Sequence, residues 1–191
     1  EIICGYAEIL KHSLILKNSF FNWLNKYSSQ ILINRNSDFL KQAIIKSCKI
    51  KIHFVNKDTH EKNIRMILNF GHTFAHAIEL QNNYSNRINH GEAVIMGMMI
   101  AVKLSCLKKI CNVNTLLKLK KIYKINNLKH DVKKFFKKNE YKKIIEHMSN
   151  DKKNNDERIN LILLKKIGET TLPNSYKITS QELKKFFDKI I

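Results

Sequence analysis

The chain has 191 residues, 43% of them apolar, which is enough to bury a core in one or two domains. Its formal charge is +19, but the lysines are spread along the whole length with no aromatic-basic motif, which argues against a specific nucleic-acid partner. The parallel excess of Asn and Ile fits A/T-rich coding as the source of that charge. No apolar run approaches the ~20 residues that span a bilayer, and no signal peptide opens the chain. A cytoplasmic location without a membrane partner is therefore expected. One proline and five glycines leave little punctuation, which favours a mainly helical build. Cys4, Cys48, Cys106 and Cys111 show no CxxC spacing and lie in apolar or helical stretches, so buried free thiols in a reducing compartment are expected.

Gly5 precedes a helical pattern over residues 6–16, with Ile9, Leu10, Leu14 and Ile15 inward. Glu8 and Lys11 share a face there and, taken alone, read as a surface ion pair. Phe20, Phe21, Trp23 and Leu24 read as core. Ser37 is expected to cap a helix reaching about Lys51, with Leu40, Ile44 and Ile45 inward and Lys51 as its C-terminal cation. Asp58, Glu61 and Arg65 read as a solvated turn. Over residues 65–79, Phe70, Phe74, Ala77 and Ile78 recur at helical spacing, and His72 and His76 project from one side. A polar connection over 82–87 leads to a second helix starting at His90, which is expected to run beside the first and bring His90 back to that histidine pair. Three imidazoles, a preferred zinc ligand type, can then converge. The pair lacks the internal Glu of a zincin helix, so polar or satisfied core histidines remain the competing reading.

Residues 91–107 read as a central buried helix in which Met98 and Met99 fill space. Residues 113–148 read as lysine-rich amphipathic helices with Phe135, Phe136, Tyr141, Ile144 and Ile145 inward. Asp151 opens a polar turn. Residues 158–164 and 170–172, around Gly168, read as a small β-hairpin. Thr179 and Glu182 form a capping box for the last helix. No internal repeat or linker interrupts the chain, so residues 1–191 are treated as one helical domain.

Together these residues resemble 3-dehydroquinate synthase, of the sugar phosphate cyclase superfamily. The matching blocks are Gly5-Tyr-Ala-Glu8-Ile-Leu-Lys11, then Lys51 leading to Val55 and Asp58, then Glu61 and Arg65. Asn69-Phe-Gly-His72-Thr-Phe-Ala-His76-Ala-Ile-Glu79 and His90-Gly-Glu-Ala-Val follow, with a weaker match at Asp151-Lys152-Lys153. The blocks come in the family's order and spacing, dense in the first half of the chain and thin in the second. The resemblance implies the helical C-terminal domain of that fold. It also implies conversion of 3-deoxy-D-arabino-heptulosonate 7-phosphate to 3-dehydroquinate and phosphate, a lyase step of the shikimate pathway to aromatic amino acids.

By the same resemblance, Glu8, His72 and His90 would hold a zinc or cobalt ion. Glu61 and His76 would handle protons. Lys11, Lys51, Arg65, Asn69 and Lys152 would contact the substrate. A zinc-bound hydroxyl would yield a hydride to NAD, phosphate would leave by elimination, and hydride return and an aldol step would close the ring. NAD would be held mainly by an N-terminal domain absent from this chain, which starts within a family block and has no glycine-rich dinucleotide loop. The isolated chain is therefore expected to be inactive without that half, and a homodimer is compatible with the family. Ala75 and Asn63 stand where the family favours glycine; alanine is the better helix former, and Asn tolerates a positive φ better than most residues, so the turn at Asn63 can survive. Beside this reading stand a valiolone- or inosose-type cyclase, a zinc hydrolase or alcohol dehydrogenase, and a non-catalytic remnant. Lys51 with Arg65 favours a carboxylate-bearing substrate among the cyclases.

Overall fold

The structure, a computed structural model, describes residues 1–83, 87–137, 139–149 and 158–190. Helix α1 spans Ile2–Ile15, α2 Asn18–Leu32 and α3 Ser37–Lys57. A 3-10 turn over Ile64–Asn69 leads into α4, His72–Gln81. Then come α5, His90–Leu107, and α6, Val113–Ile125, followed by a short 3-10 turn at Val132–Lys134 and α7, Glu140–Ser149. Four short strands, β1 Arg158–Asn160, β2 Leu164–Lys166, β3 Glu169–Thr170 and β4 Lys177–Thr179, precede α8, Ser180–Ile190. The expected mainly helical build with a little β-structure near the C-terminus is what forms.

Helix α5 is the axis of the packing. Nearly every residue from Gly91 to Ser105 is buried, with α1, α4 and α6 laid against it. A helix apolar all round must be enclosed on all sides. Its length and composition would also suit a membrane span, yet 78% of it is buried inside this fold. Its start is set by Asn89 and Glu92, which form a reciprocal capping box across the first turn. Helix α4 starts on Gly71, whose φ of 80° is left-handed and whose missing Cβ would meet Met98 of α5 at 2.8 Å. Glycine therefore lets the 3-10 segment turn sharply into α4 while the helix lies close on α5.

Several expected details differ. Asn36, not Ser37, caps α3 by accepting the Asp38 and Phe39 N–H groups. The helix runs on to Lys57, so Lys51 lies within it rather than at its end. Its inward face is Ala43, Ser47, Ile50 and Phe54, whereas Ile44 and Ile45 are 46% and 44% exposed. A 21-residue helix lying along a surface buries one narrow stripe, and neighbouring isoleucines at 44 and 45 fall beside it. The positive φ of the following turn belongs to Glu61, at 53°, while Asn63 sits at −139°. The stretch Ile64–Asn69 is 3-10, and the α-helix begins only at His72.

The hairpin is also more elaborate than expected. β2 and β3 form it across Ile167 and Gly168, while β1 pairs antiparallel with β4. Thr179 and Glu182 do form the capping box of α8. Of the four thiols, Cys111 is buried, Cys4 and Cys106 are half-buried and Cys48 is exposed. Burial of all four therefore does not hold.

Candidate metal and substrate site

The site forms where α1 crosses the starts of α4 and α5. Close approach of α1 to α5 requires Gly91, because a Cβ there would lie 2.5 Å from the Cys4 Cα. The Cys4 thiol sits in the same crossing, accepting the Gly91 N–H at 3.3 Å and facing Asn89 Oδ1 at 3.5 Å. One turn further along α1, Glu8 is thereby brought opposite His72 and His90, each the first residue of its helix. One ligand atom from each of Glu8, His72 and His90 falls within 4.8 Å of the other two. Tetrahedral zinc with bonds of about 2.0–2.1 Å separates its ligands by roughly 3.3 Å, so modest side-chain rotation closes this group on one ion.

Each of the three is oriented by a neighbour. His90 Nδ1 lies 2.9 Å from Glu79 Oε1, which leaves its Nε2 for a metal. His72 Nδ1 faces the Phe70 carbonyl at 3.4 Å, a long contact, and its Nε2 lies 3.4 Å from Glu8 Oε1. Lys11, only 3% exposed, donates to Glu8 Oε2 at 2.6 Å. The other carboxylate oxygen, Glu8 Oε1, is buried and is met only by the long 3.4 Å approach of His72 Nε2. A buried, weakly held carboxylate oxygen facing two imidazoles suits a cation. Burial pushes the Glu8 carboxyl up, but hydrogen bonds and charge from His72 and Lys11 outweigh it and hold the group well below the usual range. Burial lowers Lys11, against the pull of Glu8, and the like charge of Lys51 adds to that lowering. Lys51 itself is exposed on α3.

A second cluster adjoins the first. Asp58 accepts the N–H groups of Lys62, Asn63 and Arg65, closing the loop that carries Glu61. Desolvation raises the Asp58 carboxyl, but these backbone donors and the charge of Arg65 together outweigh it and hold the group below its ordinary value. Asn69 donates to Glu61 Oε1 at 2.8 Å, and Arg65 Nε stands 3.9 Å from Glu61 Oε2. Arg65 Nη1 is anchored on the Thr59 carbonyl at 2.7 Å. The Glu61 charge reaches Lys11, which ties the two clusters together electrostatically. A cleft of about 640 Å³, open to solvent, runs from His72 and His76 past Asn69 to Asn160 and Asn174. His76 is exposed, with its ring edge-on to that of His72 at 5.6 Å. Lys152, with Asp151 and Lys153, lies outside the described residues.

Four supporting residues escaped the sequence reading. Glu79 stands in the quoted block and is seven residues after His72, and a liganding imidazole ordinarily has a carboxylate or carbonyl behind it. That rule would have found it. Cys4 and the buried pair His12–Ser47, 2.6 Å apart across α1 and α3, carry no sequence signal of their own. Burial, and then the charge of Lys11, push His12 down to about 4, so it is a neutral strut beneath Lys11.

Comparison with known proteins bears on this arrangement. Residues 5–154 match the family model described as 3-dehydroquinate synthase C-terminal. The 3-dehydroquinate synthase of Pelagibacter ubique is 48% identical over 168 residues, covering 88% of this chain and 45% of the relative. That of Dictyoglomus thermophilum is 36% identical over 172 residues, covering 90% of this chain and 46% of the relative. The chain thus spans less than half the length of these relatives. Among solved structures, 2-epi-5-epi-valiolone synthase from Streptomyces hygroscopicus subsp. jinggangensis, with NAD+ and Zn2+ bound, superposes with a TM-score of 0.81. The two are 19% identical, and the match covers 99% of this chain and 51% of that one. A 2-deoxy-scyllo-inosose synthase complexed with carbaglucose-6-phosphate, NAD+ and Co2+ superposes at 0.76, with 23% identity, 98% of this chain and 51% of that one. These two likenesses establish the fold.

Proposed function

The chain belongs to the 3-dehydroquinate synthase C-terminal family, and from that premise we propose that it is the metal- and substrate-binding half of a 3-dehydroquinate synthase. Its reaction would convert 3-deoxy-D-arabino-heptulosonate 7-phosphate to 3-dehydroquinate and phosphate in the cytoplasm. The observation that carries this reading is the convergence of Glu8, His72 and His90, with a buried Glu8 Oε1 held only by a long contact to His72. Glu8, His72 and His90 would hold a zinc or cobalt ion, which supplies Lewis acidity to a substrate oxygen. NAD would come with the half of the enzyme that this chain does not include, and a homodimer fits the family. The whole chain acts in this reading as one domain.

Each remaining residue has a task that its surroundings suit. Lys11 keeps Glu8 ionised and turned toward the histidines, and its buried position makes it an orienting group first and a substrate contact second. Arg65 presents a planar fork beside Glu61 and, with Lys51, meets the substrate's anionic groups. Asn69 fixes the Glu61 carboxylate. His76 and Glu61 move protons at the substrate, for which an exposed imidazole in the cleft is well placed. Lys152 completes the anion contacts. The helix starts at His72 and His90 add fixed positive potential for an anionic ligand.

The second reading is a valiolone- or inosose-type cyclase, favoured by the fold neighbours but not by Arg65 and Lys51, which suit a carboxylate. The deciding experiment joins the chain to the NAD-binding half of a related synthase and measures phosphate release from the heptulosonate phosphate. Release that needs both halves and NAD, with no net NADH, is expected. Phosphate release by the chain alone refutes the half-site reading, and turnover only of a phosphate sugar lacking a carboxylate favours the sister cyclases.

A further inference from the structure

At the end of α5 opposite the site, two thiols meet. Cys106 is on the last turn of α5, and Cys111 immediately precedes Asn112, the N-cap of α6. The link between them is a tight reversal. Lys109 adopts a left-handed φ of 57°, and the N–H groups of Ile110 and Cys111 both donate to the Ser105 carbonyl. This fold-back brings the sulfurs to 3.1 Å. A bonded pair sits at about 2.05 Å, so roughly 1 Å of closure by side-chain rotation is all the geometry requires. Among the described residues these are the only two cysteines in contact. Cys4 is engaged at the α1–α5 crossing, and Cys48 stands apart on the exposed face of α3.

We propose that Cys106 and Cys111 are a thiol-modification site, closing to a reversible intrachain disulfide under a two-electron oxidant of the hydroperoxide class. Cys106 is half-buried and reachable, so its thiolate attacks the peroxide oxygen; the O–O bond breaks, water leaves, and the sulfur becomes a sulfenic acid. Burial, and then the neighbouring Cys106, push the Cys111 thiol up to about 12. Cys111 therefore stays protonated through the first step and serves as the resolving thiol. Cys111 then loses its proton and attacks the sulfenic sulfur, forming the S–S bond and expelling hydroxide, which takes the proton and leaves as a second water. Two thiols are oxidised and one peroxide is reduced to two waters. His90 lies sixteen residues back along α5, about 24 Å at the helical rise, so metal binding proceeds independently of this step.

Lys108 and Lys109 lie between the two cysteines, so trypsin cuts within the loop and a disulfide shows as two joined peptides, 104–108 and 110–118. The chain is treated with hydrogen peroxide, alkylated, digested without reductant and analysed by mass spectrometry. The expected result is this joined pair at two hydrogens below the summed mass, lost after dithiothreitol, with zinc binding unchanged. Cys106→Ser should leave Cys111 fully alkylatable after the same treatment. Both cysteines remaining alkylatable, Cys106 advancing to sulfinic acid without joining, or joined peptides that pass through Cys4 or Cys48 instead would each overturn the proposal.

Discussion

Substituting Gly91 by Ala tests whether the helix crossing sets the site. The added Cβ would lie 2.5 Å from the Cys4 Cα, 2.7 Å from its nitrogen and 2.8 Å from the Ile3 carbonyl carbon, all backbone atoms. Ordinary contact begins near 3.4 Å, so α1 must retreat by about 1 Å. Overpacking of this kind costs about 1–3 kcal/mol. Replacing a helical glycine returns up to about 1 kcal/mol, so the net loss of stability is about 0–2 kcal/mol. The metal group is far less forgiving, since ligand distances tolerate only about 0.2 Å. Glu8 moves with α1 while His90 stays with α5, so zinc affinity should fall at least tenfold, about 1.4 kcal/mol. Gly5→Ala is the matched control, because Gly5 is on α1, the helix that would retreat, with nothing within 4 Å of its added Cβ. It should stabilise the chain by up to about 1 kcal/mol and leave zinc alone. Competition with a chromophoric chelator reads the affinity, and urea unfolding reads the stability. Parent-like zinc binding by Gly91→Ala would refute the reasoning, as would equal weakening by Gly5→Ala.

Three further outcomes are expected. Glu79→Gln, which removes the charge behind His90, should weaken zinc about 10- to 100-fold; an unchanged affinity would show that His90 needs no such partner. His76→Ala should keep its zinc, where His72→Ala loses it, and in the complete enzyme should slow turnover about 10²- to 10⁴-fold with an altered pH profile. Equal zinc loss in both variants would place His76 among the ligands. His12 is depressed to about 4 from 6.5 in the folded chain, so the unfolded chain binds its proton first as pH falls. Stability is therefore lost between pH 6.5 and 4, by about 2 kcal/mol from pH 7 to pH 5. Metal-free His12→Asn should lack that component, and an unfolding midpoint that falls as steeply as the parent's would contradict it.

What was legible in the sequence follows from the kind of signal each feature leaves. The buried course of α5 is written in an unbroken apolar run, and the α8 cap in Thr179 and Glu182, because both are local. The inward stripe of α3 was misjudged because Ile44 and Ile45 are apolar but exposed, and only the tertiary position of Ala43 and Ile50 decides which face is covered. The strand pairing of Arg158 with Thr179 was missed for the same reason. Two short segments separated by a complete hairpin leave no turn signal joining them. Glu61 taking a positive φ in place of Asn63 reflects Asp58, whose carboxylate gathers three backbone N–H groups and dictates the loop from outside it.

The pair His72 and His76 shows why spacing alone left the site ambiguous. Two imidazoles one turn apart on a helix are separated by about 6 Å of rise, so both can serve one ion only by bending together. Their rings stand edge-on at 5.6 Å, not turned onto a shared point. Glu8 decides between them: its Oε1 approaches His72 Nε2 at 3.4 Å, and Lys11 prevents it from swinging away by holding Oε2. His90, held by Glu79, would supply the third ligand from another helix and leave His76, which lines the cleft, for the substrate. In the proposed site the metal group would thus be selected by a buried lysine and two carboxylates from separate helices. Charge pairing between distant segments, rather than histidine periodicity, is what would divide ligand from proton carrier in the proposed site.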